Sequence, residues 1–216
     1  MSQSSLSAAQ LTLGPIGTNC YLLVDSSNGD GVVFDPAVED SRIAATLQEM
    51  GIRRLRYICL THGHFDHILG VPALKAASPQ TIVVAPQKEK AFFSDPVLNL
   101  AAQYSNSFTP ISVDRYVKEG DVLPFGSGQI RVLETPGHTA GSVCYILNQI
   151  LFSGDTLFRG SMGITSHPTG NAEKEMESLQ KLAALPGDYN VLPGHGPLTT
   201  LQRERETNPY MKDLNS

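Results

Sequence analysis

Charge is in short supply in this sequence. Asp, Glu, Lys and Arg make up 17% of 216 residues, and 16 basic residues are spread thinly against 21 acidic ones for a net charge of −5. No basic stripe is left to track a nucleic-acid backbone or an anionic membrane, so polyanionic partners are not expected. Basic residues are missing altogether before Arg42, and Met1 to Gln10 lack the apolar core of a signal peptide. No later apolar run is long enough to span a bilayer. A soluble cytoplasmic protein is expected. Cysteine is scarce as well: Cys20, Cys59 and Cys144 are odd in number, far apart and embedded in apolar runs (NCYLLV, YICL, SVCYIL). That pattern predicts buried free thiols rather than a disulfide or a thiolate metal site. Repeats, linkers and low-complexity tracts are absent too. With 41% hydrophobic residues the chain can bury one large core, and a single domain over residues 1–216 is expected.

What is present reads as alternating strands and helices. Gln10 to Leu13, Cys20 to Val24 and Val32 to Phe34 are short β-type runs separated by Gly14-Pro15, Gly17, Asn28-Gly29 and Pro36. Ile43, Leu47 and Met50 then recur at helical spacing, with Asp40 or Ser41 as N-cap and Gly51 past the end. Leu55 to Leu60 predicts a buried strand, Ile68 to Ala77 a helix and Thr81 to Ala85 another strand. Residues 86–112 are the least readable, with a helical possibility around Val97 to Tyr104 among several prolines. Beyond Val113 the β pattern returns. Gly126-Ser127-Gly128 turns into Ile130 to Leu133, and Val143 to Leu147 pairs with Ile150 to Phe152 across Asn148-Gln149. Asn171 caps a helix carrying Met176, Leu179 and Ala183 and closed by Pro186-Gly187. Val191-Leu192 is a last short strand, and one helical turn is expected in the polar tail. The mixture indicates an α/β layered domain.

The chemistry gathers where strands end. Leu55 to Leu60 runs into Thr61-His62-Gly63-His64-Phe65-Asp66-His67, Ile130 to Glu134 into Thr135-Pro136-Gly137-His138, Ile150 to Gly154 into Asp155, and Val191-Leu192 into Pro193-Gly194-His195-Gly196. Strand ends lying on one edge of a layered sheet bring such loops together. A lone histidine after a strand is more often structural than a ligand. Here five of the six histidines take part, most with a glycine neighbour that allows close backbone approach. The donors are imidazole and carboxylate with no thiolate, which suits Zn²⁺, Fe or Mn in a working site. Seven donors are too many for one tetrahedral ion and suit two ions sharing a carboxylate. Two divalent ions against Asp66, Asp155 and a hydroxide leave a net charge of about +1, an electrophilic centre that lowers the pKa of its water to roughly 7.

In order and spacing, THGHFDH (61–67), TPGHTAGS (135–142), GDTLF (154–158) and PGHG (193–196) resemble the metallo-β-lactamase superfamily. Within it they are most similar to its short stand-alone glyoxalase II-like hydrolases. GTNCYLL (17–23) and NPYM (208–211) add to the likeness, which spans nearly the whole chain. The resemblance implies a four-layer αββα sandwich with a binuclear site at the edge between two sheets. It implies His62, His64 and His138 on the first metal, Asp66, His67 and His195 on the second, and Asp155 between them. It further implies hydrolysis of a small-molecule thioester or related acyl substrate by a metal-bridging hydroxide, with Asp66 orienting or relaying a proton.

Finer distinctions rest on single positions. His64 stands where flavodiiron relatives carry glutamate, Phe158 where quorum-quenching lactonases carry tyrosine, and Asp155 where zinc β-lactamases generally lack a bridge. A thioesterase of glyoxalase II type is therefore the leading expectation. A mononuclear iron persulfide dioxygenase, or a hydrolase of another ester or lactone, is the alternative. Two departures mark this chain. Close relatives follow GDTLF with a loop resembling GSxGRTDxPxG, but Ile164 and Ser166 replace its arginine and aspartate, and His167 stands beside the missing acid. The C-terminal helical extension with which full-length glyoxalase II holds glutathione also has no counterpart after His195.

Overall fold

The computed structural model describes residues 5–104 and 108–212. Its first sheet is built from β1 (Leu6–Leu13), β2 (Thr18–Asp25), β3 (Asp30–Phe34), β4 (Arg54–Cys59), β5 (Ile82–Pro86) and β6 (Arg115–Val117), in that spatial order. The first three strands form an antiparallel meander, whereas β3 to β6 run parallel. Parallel strands need crossovers. These are supplied by α1 (Ser41–Glu49), by α2 (Phe65–Ile68) with α3 (Val71–Ala77), and by a long segment that contains α4 (Ala101–Tyr104).

The second sheet uses β7 (Val122–Phe125), β8 (Gly128–Glu134), β9 (Val143–Leu147) and β10 (Ile150–Gly154), an antiparallel set. A small ribbon of β11 (Leu157–Phe158) and β12 (Ser161–Met162) follows, then α5 (Ala172–Ala183). The chain returns as β13 (Asn190–Pro193), parallel to β10, and ends its sheet with β14 (Thr199–Thr200) before α6 (Leu201–Thr207).

Side chains alternate faces along a strand, and here both faces of both sheets are covered. Tyr21, Phe34, Tyr57 and Val84 of the first sheet meet Phe125, Val132, Tyr145 and Phe152 of the second in a continuous inner core. Phe34 and Phe152 stack at 3.8 Å between ring centroids. On the outer face of the first sheet Leu22, Val33 and Ile58 pack with Ile43, Val71 and Leu74 of the helices. On the outer face of the second, Cys144, Ile146 and Val191 pack with Leu179, Leu182 and Leu201. The layers therefore run helix, sheet, sheet, helix, as the αββα expectation required. All three cysteines are free and buried, and no described helix is long and apolar enough to cross a membrane.

Capping follows the sequence signals. Asp40 accepts from Arg42 N at the start of α1, and Asn171 from Lys174 N at the start of α5. Three expectations needed adjustment. The helix expected over Ile68 to Ala77 is split between Ile68 and Val71, because Pro72 has no N–H to give the Ile68 carbonyl; Gly70 lies in the break, where a Cβ would come within 2.3 Å of Pro36 O. Pro72 then opens α3 in its first turn. The expected helix over Val97 to Tyr104 shrinks to Ala101–Tyr104, because Leu100 adopts φ +67° and breaks the run. β1 begins at Leu6, ahead of Gln10: this exposed edge strand carries small residues that hide its alternation.

Candidate metal centre

The four histidine- and aspartate-bearing loops all leave strand ends at one edge of the sandwich. β4 leads to His62 and His64, and the single turn of α2 presents Asp66 and His67. The second sheet answers with His138 after β8, Asp155 after β10 and His195 after β13. The seven side chains converge. Nδ1 of His64 faces Nε2 of His138 at 2.9 Å. Asp155 lies 3.4 Å from Nε2 of His67 and 3.5 Å from Nε2 of both His138 and His195. Oδ2 of Asp66 is 3.3 Å from Nε2 of His67 and of His195. Three overlapping triplets, His62/His64/His138, His62/His67/Asp155 and Asp66/His67/His195, each hold their donor atoms within 4.8 Å.

The chemistry of these donors fits cations. Nε2 of His62 and of His67 and Oδ1 of Asp155 are buried without any hydrogen-bond partner, a costly state unless an ion completes them. Burial pushes the His62 imidazole well below its usual range and His64 down to about 3, with neighbouring histidines adding to both, so these rings are neutral lone-pair donors. Around the other half the carboxylates dominate. Burial opposes protonation of His67, but Asp66, Asp155 and Asp35 together raise it well above the usual value. Burial likewise opposes the charge on Asp155, yet His67 and His195 hold it down to about 2. Three acidic groups thus demand positive charge at a place that no Lys or Arg occupies.

Residues outside the sequence-expected set hold the donors in place. The Asp35 carboxylate, at φ +47° just past β3, accepts from Thr61 N and Thr61 Oγ1 and lies 3.0 Å from Nδ1 of His67. Thr18 Oγ1 donates to Asp66 at 2.7 Å, and Asn19 Nδ2 donates to the carbonyls of Pro193 and Gly196 that flank His195. GTNC therefore acts as a buttress for two other motifs. Glu89 accepts from Gly63 N and Gly141 N, tying the His62–His64 loop to the turn after His138; burial, only partly offset by these bonds, lifts it to about 7. Glu175 accepts from His138 N, and burial aided by Asp155 lifts it to about 8 against that bond. Their one sequence signal is position: Asp35 is an acid directly after a buried strand, and Glu175 sits in the first turn of a capped helix. Gly194 closes the arrangement, since a Cβ there would fall 2.1 Å from Asp155 Oδ1.

A cleft of about 320 Å³ opens over the centre, with His64, Asp66, His138, Asp155 and His195 in its floor. His167, from the loop in which Ile164 and Ser166 stand, also lines it, its ring edge-on to His64 at 5.6 Å and His138 at 6.2 Å. The poorly readable segment 86–112 contributes as well: Leu100 and Tyr104 form part of the wall, and Phe92 packs 5.9 Å from His64.

Sequence and structure comparisons give the family and the fold. A family model described as "Metallo-beta-lactamase superfamily" matches residues 13–195. A hydroxyacylglutathione hydrolase, GloC, of Haemophilus influenzae is 30% identical over 200 residues, covering 89% of this chain and 92% of its own. Among solved structures, the BLEG-1 B3 metallo-beta-lactamase superposes with a TM-score of 0.85 at 34% identity, over 95% of this chain and 99% of that one. TTHA1623, solved in a di-iron-bound form, gives 0.82 at 35% identity over 94% and 99%.

Proposed function

The chain belongs to the metallo-beta-lactamase superfamily, and from that premise we propose that it is a binuclear metal-dependent hydrolase of thioesters. In this reading His62, His64 and His138 hold one divalent ion, Asp66, His67 and His195 the other, and Asp155 is shared. One observation carries it: Asp155 lies within 3.5 Å of His67, His138 and His195, yet its Oδ1 and the His67 Nε2 it faces are buried with no hydrogen bond. Zinc is the first choice for such a donor set, with iron or manganese admitted by the same ligands. The di-iron form of TTHA1623 supports the pairing of ions.

Bound there, divalent ions would polarise a carbonyl oxygen and ionise water near neutral pH. The protein's own contribution is placement. Thr18 pins Oδ2 of Asp66, so this carboxylate, in the cleft floor, orients the attacking water and holds its proton for the departing thiolate. His64 and His138 stay neutral through burial, and Glu175 fixes the backbone of His138. The likeness to GloC favours a thioester. The likeness to BLEG-1 supports a second reading, β-lactam hydrolysis. Metal analysis followed by a screen of thioesters, lactones and β-lactams on that metal form decides between them. Two ions per chain with thioester turnover is the expected result. A single iron with persulfide-dependent oxygen uptake would replace the hydrolase by a dioxygenase.

A further inference from the structure

The walls of the cleft are chemically one-sided. Ile16, Phe65, Leu100, Tyr104, Phe158 and Ile164, interrupted by His167, surround the metal-facing floor, and no Lys or Arg is among the described lining residues. Phe65 and Tyr104 stack in parallel at 5.0 Å between centroids, which makes a flat aromatic wall. Ile16, Tyr104 and Ile164 are 47%, 60% and 58% exposed, an unusual use of large apolar side chains unless something covers them. The basic residue nearest in sequence to any lining residue is Arg159, in the turn between β11 and β12, and it is not part of the lining.

We propose that this cleft takes thioesters that are uncharged and apolar on both sides of the reacting bond, and that it disfavours glutathione thioesters. The inference rests on the hydrolase reading above and adds the substrate class. A glutathione moiety brings two carboxylates, and beyond the metal-facing floor the described walls hold no Lys or Arg to pair with them. An alkyl or aryl acyl group instead removes Ile16, Tyr104 and Ile164 from water. The volume of about 320 Å³ lies at the small end of ligand sites and suits a short chain. The reaction balances without further reactants. Water adds to the carbonyl carbon, the C–S bond breaks, and the products are a carboxylic acid and a thiol.

The test has a binding arm and a turnover arm. Calorimetric titration of the metal-loaded protein with S-hexyl-N-acetylcysteamine and S-hexylglutathione, two inert thioethers, should show the neutral one binding at least about tenfold more tightly. Hydrolysis of S-acyl-N-acetylcysteamines from acetyl to hexanoyl should gain about two- to fourfold in kcat/KM per added CH₂. Ile164→Arg should narrow the gap between the two thioethers, and Tyr104→Ala should flatten the chain-length series. Equal or tighter binding of S-hexylglutathione overturns the inference, as does faster turnover of S-lactoylglutathione than of every neutral thioester. Selective binding of the neutral thioether without turnover of any thioester upholds the cleft's preference and overturns the thioesterase reading instead.

Discussion

Nδ1 of His67 and the Asp35 carboxylate lie 3.0 Å apart in the interior, and both residues are almost fully screened from solvent. The contact orients the ring: a neutral His67 would keep its proton on Nδ1 toward Asp35, leaving Nε2, which lies between Asp66 and Asp155, to give its lone pair to an ion. Asp35→Asn preserves the shape and removes the charge. Metal affinity, measured by competition with a chromophoric chelator, should fall about 10- to 100-fold. Unchanged affinity would reduce Asp35 to a loop-stabilising residue.

Glu89 makes the pH dependence of stability measurable. Its folded pKa of about 7 exceeds the ordinary 4.5 because burial outweighs its backbone bonds. A raised pKa favours the protonated form in the folded state, so the contribution is whole below pH 4.5 and is lost as pH rises through 7. Glu89→Gln does not titrate, and subtracting its stability curve cancels the groups both proteins share. Relative to the variant, the parent should lose on the order of 3 kcal/mol between those limits in denaturant titrations. A difference independent of pH refutes the assignment.

Gly194 tests close approach. A methyl group at this position would fall 2.1 Å from Asp155 Oδ1 and 2.8 Å from His67 Cε1. Gly194→Ala should therefore expel the Asp155 carboxylate, costing roughly 1–3 kcal/mol of stability together with metal stoichiometry. Full metal content in a variant that melts normally would show that the β13 loop yields more readily than its packing suggests.

Removal of metal should loosen the whole fold. An ion held at 100 times its dissociation constant stabilises by about 2.7 kcal/mol, and at this chain length each kcal/mol moves Tm by about 2–4 °C. Dialysis against a chelator should lower Tm by at least about 5 °C, and adding back zinc should restore it. An unmoved Tm would mean that the donors bind no ion under those conditions.

The convergence of the seven candidate donors was legible in the sequence because each strand end announces itself: a buried apolar run followed closely by glycine, histidine or aspartate. The layered α/β class was legible for a related reason, since strand and helix periodicities alternate along the chain, whereas the four-layer order followed only from the family resemblance. The supports were not. Thr18 reaches the Asp66 carboxylate across 48 positions and Glu89 reaches Gly63 N across 26, and nothing local marks a solitary threonine or glutamate as the partner of so distant a group. What was hidden at Gly70 is its packing: the carbonyls of Pro36 and Val38, brought in by another loop, leave no room for a Cβ there, whereas the helix break itself is marked by Pro72.

The donors are divided between the two sheets. His62, His64, Asp66 and His67 follow β4, whereas His138, Asp155 and His195 follow strands of the second sheet. During synthesis the first four emerge long before the last, so the nascent N-terminal half holds neither complete set. On the proposed assignment, loading would wait until the two halves have closed on each other. Metal held from both sides would then rivet one layer to the other, so that prying the sheets apart and stripping the metal would be a single event.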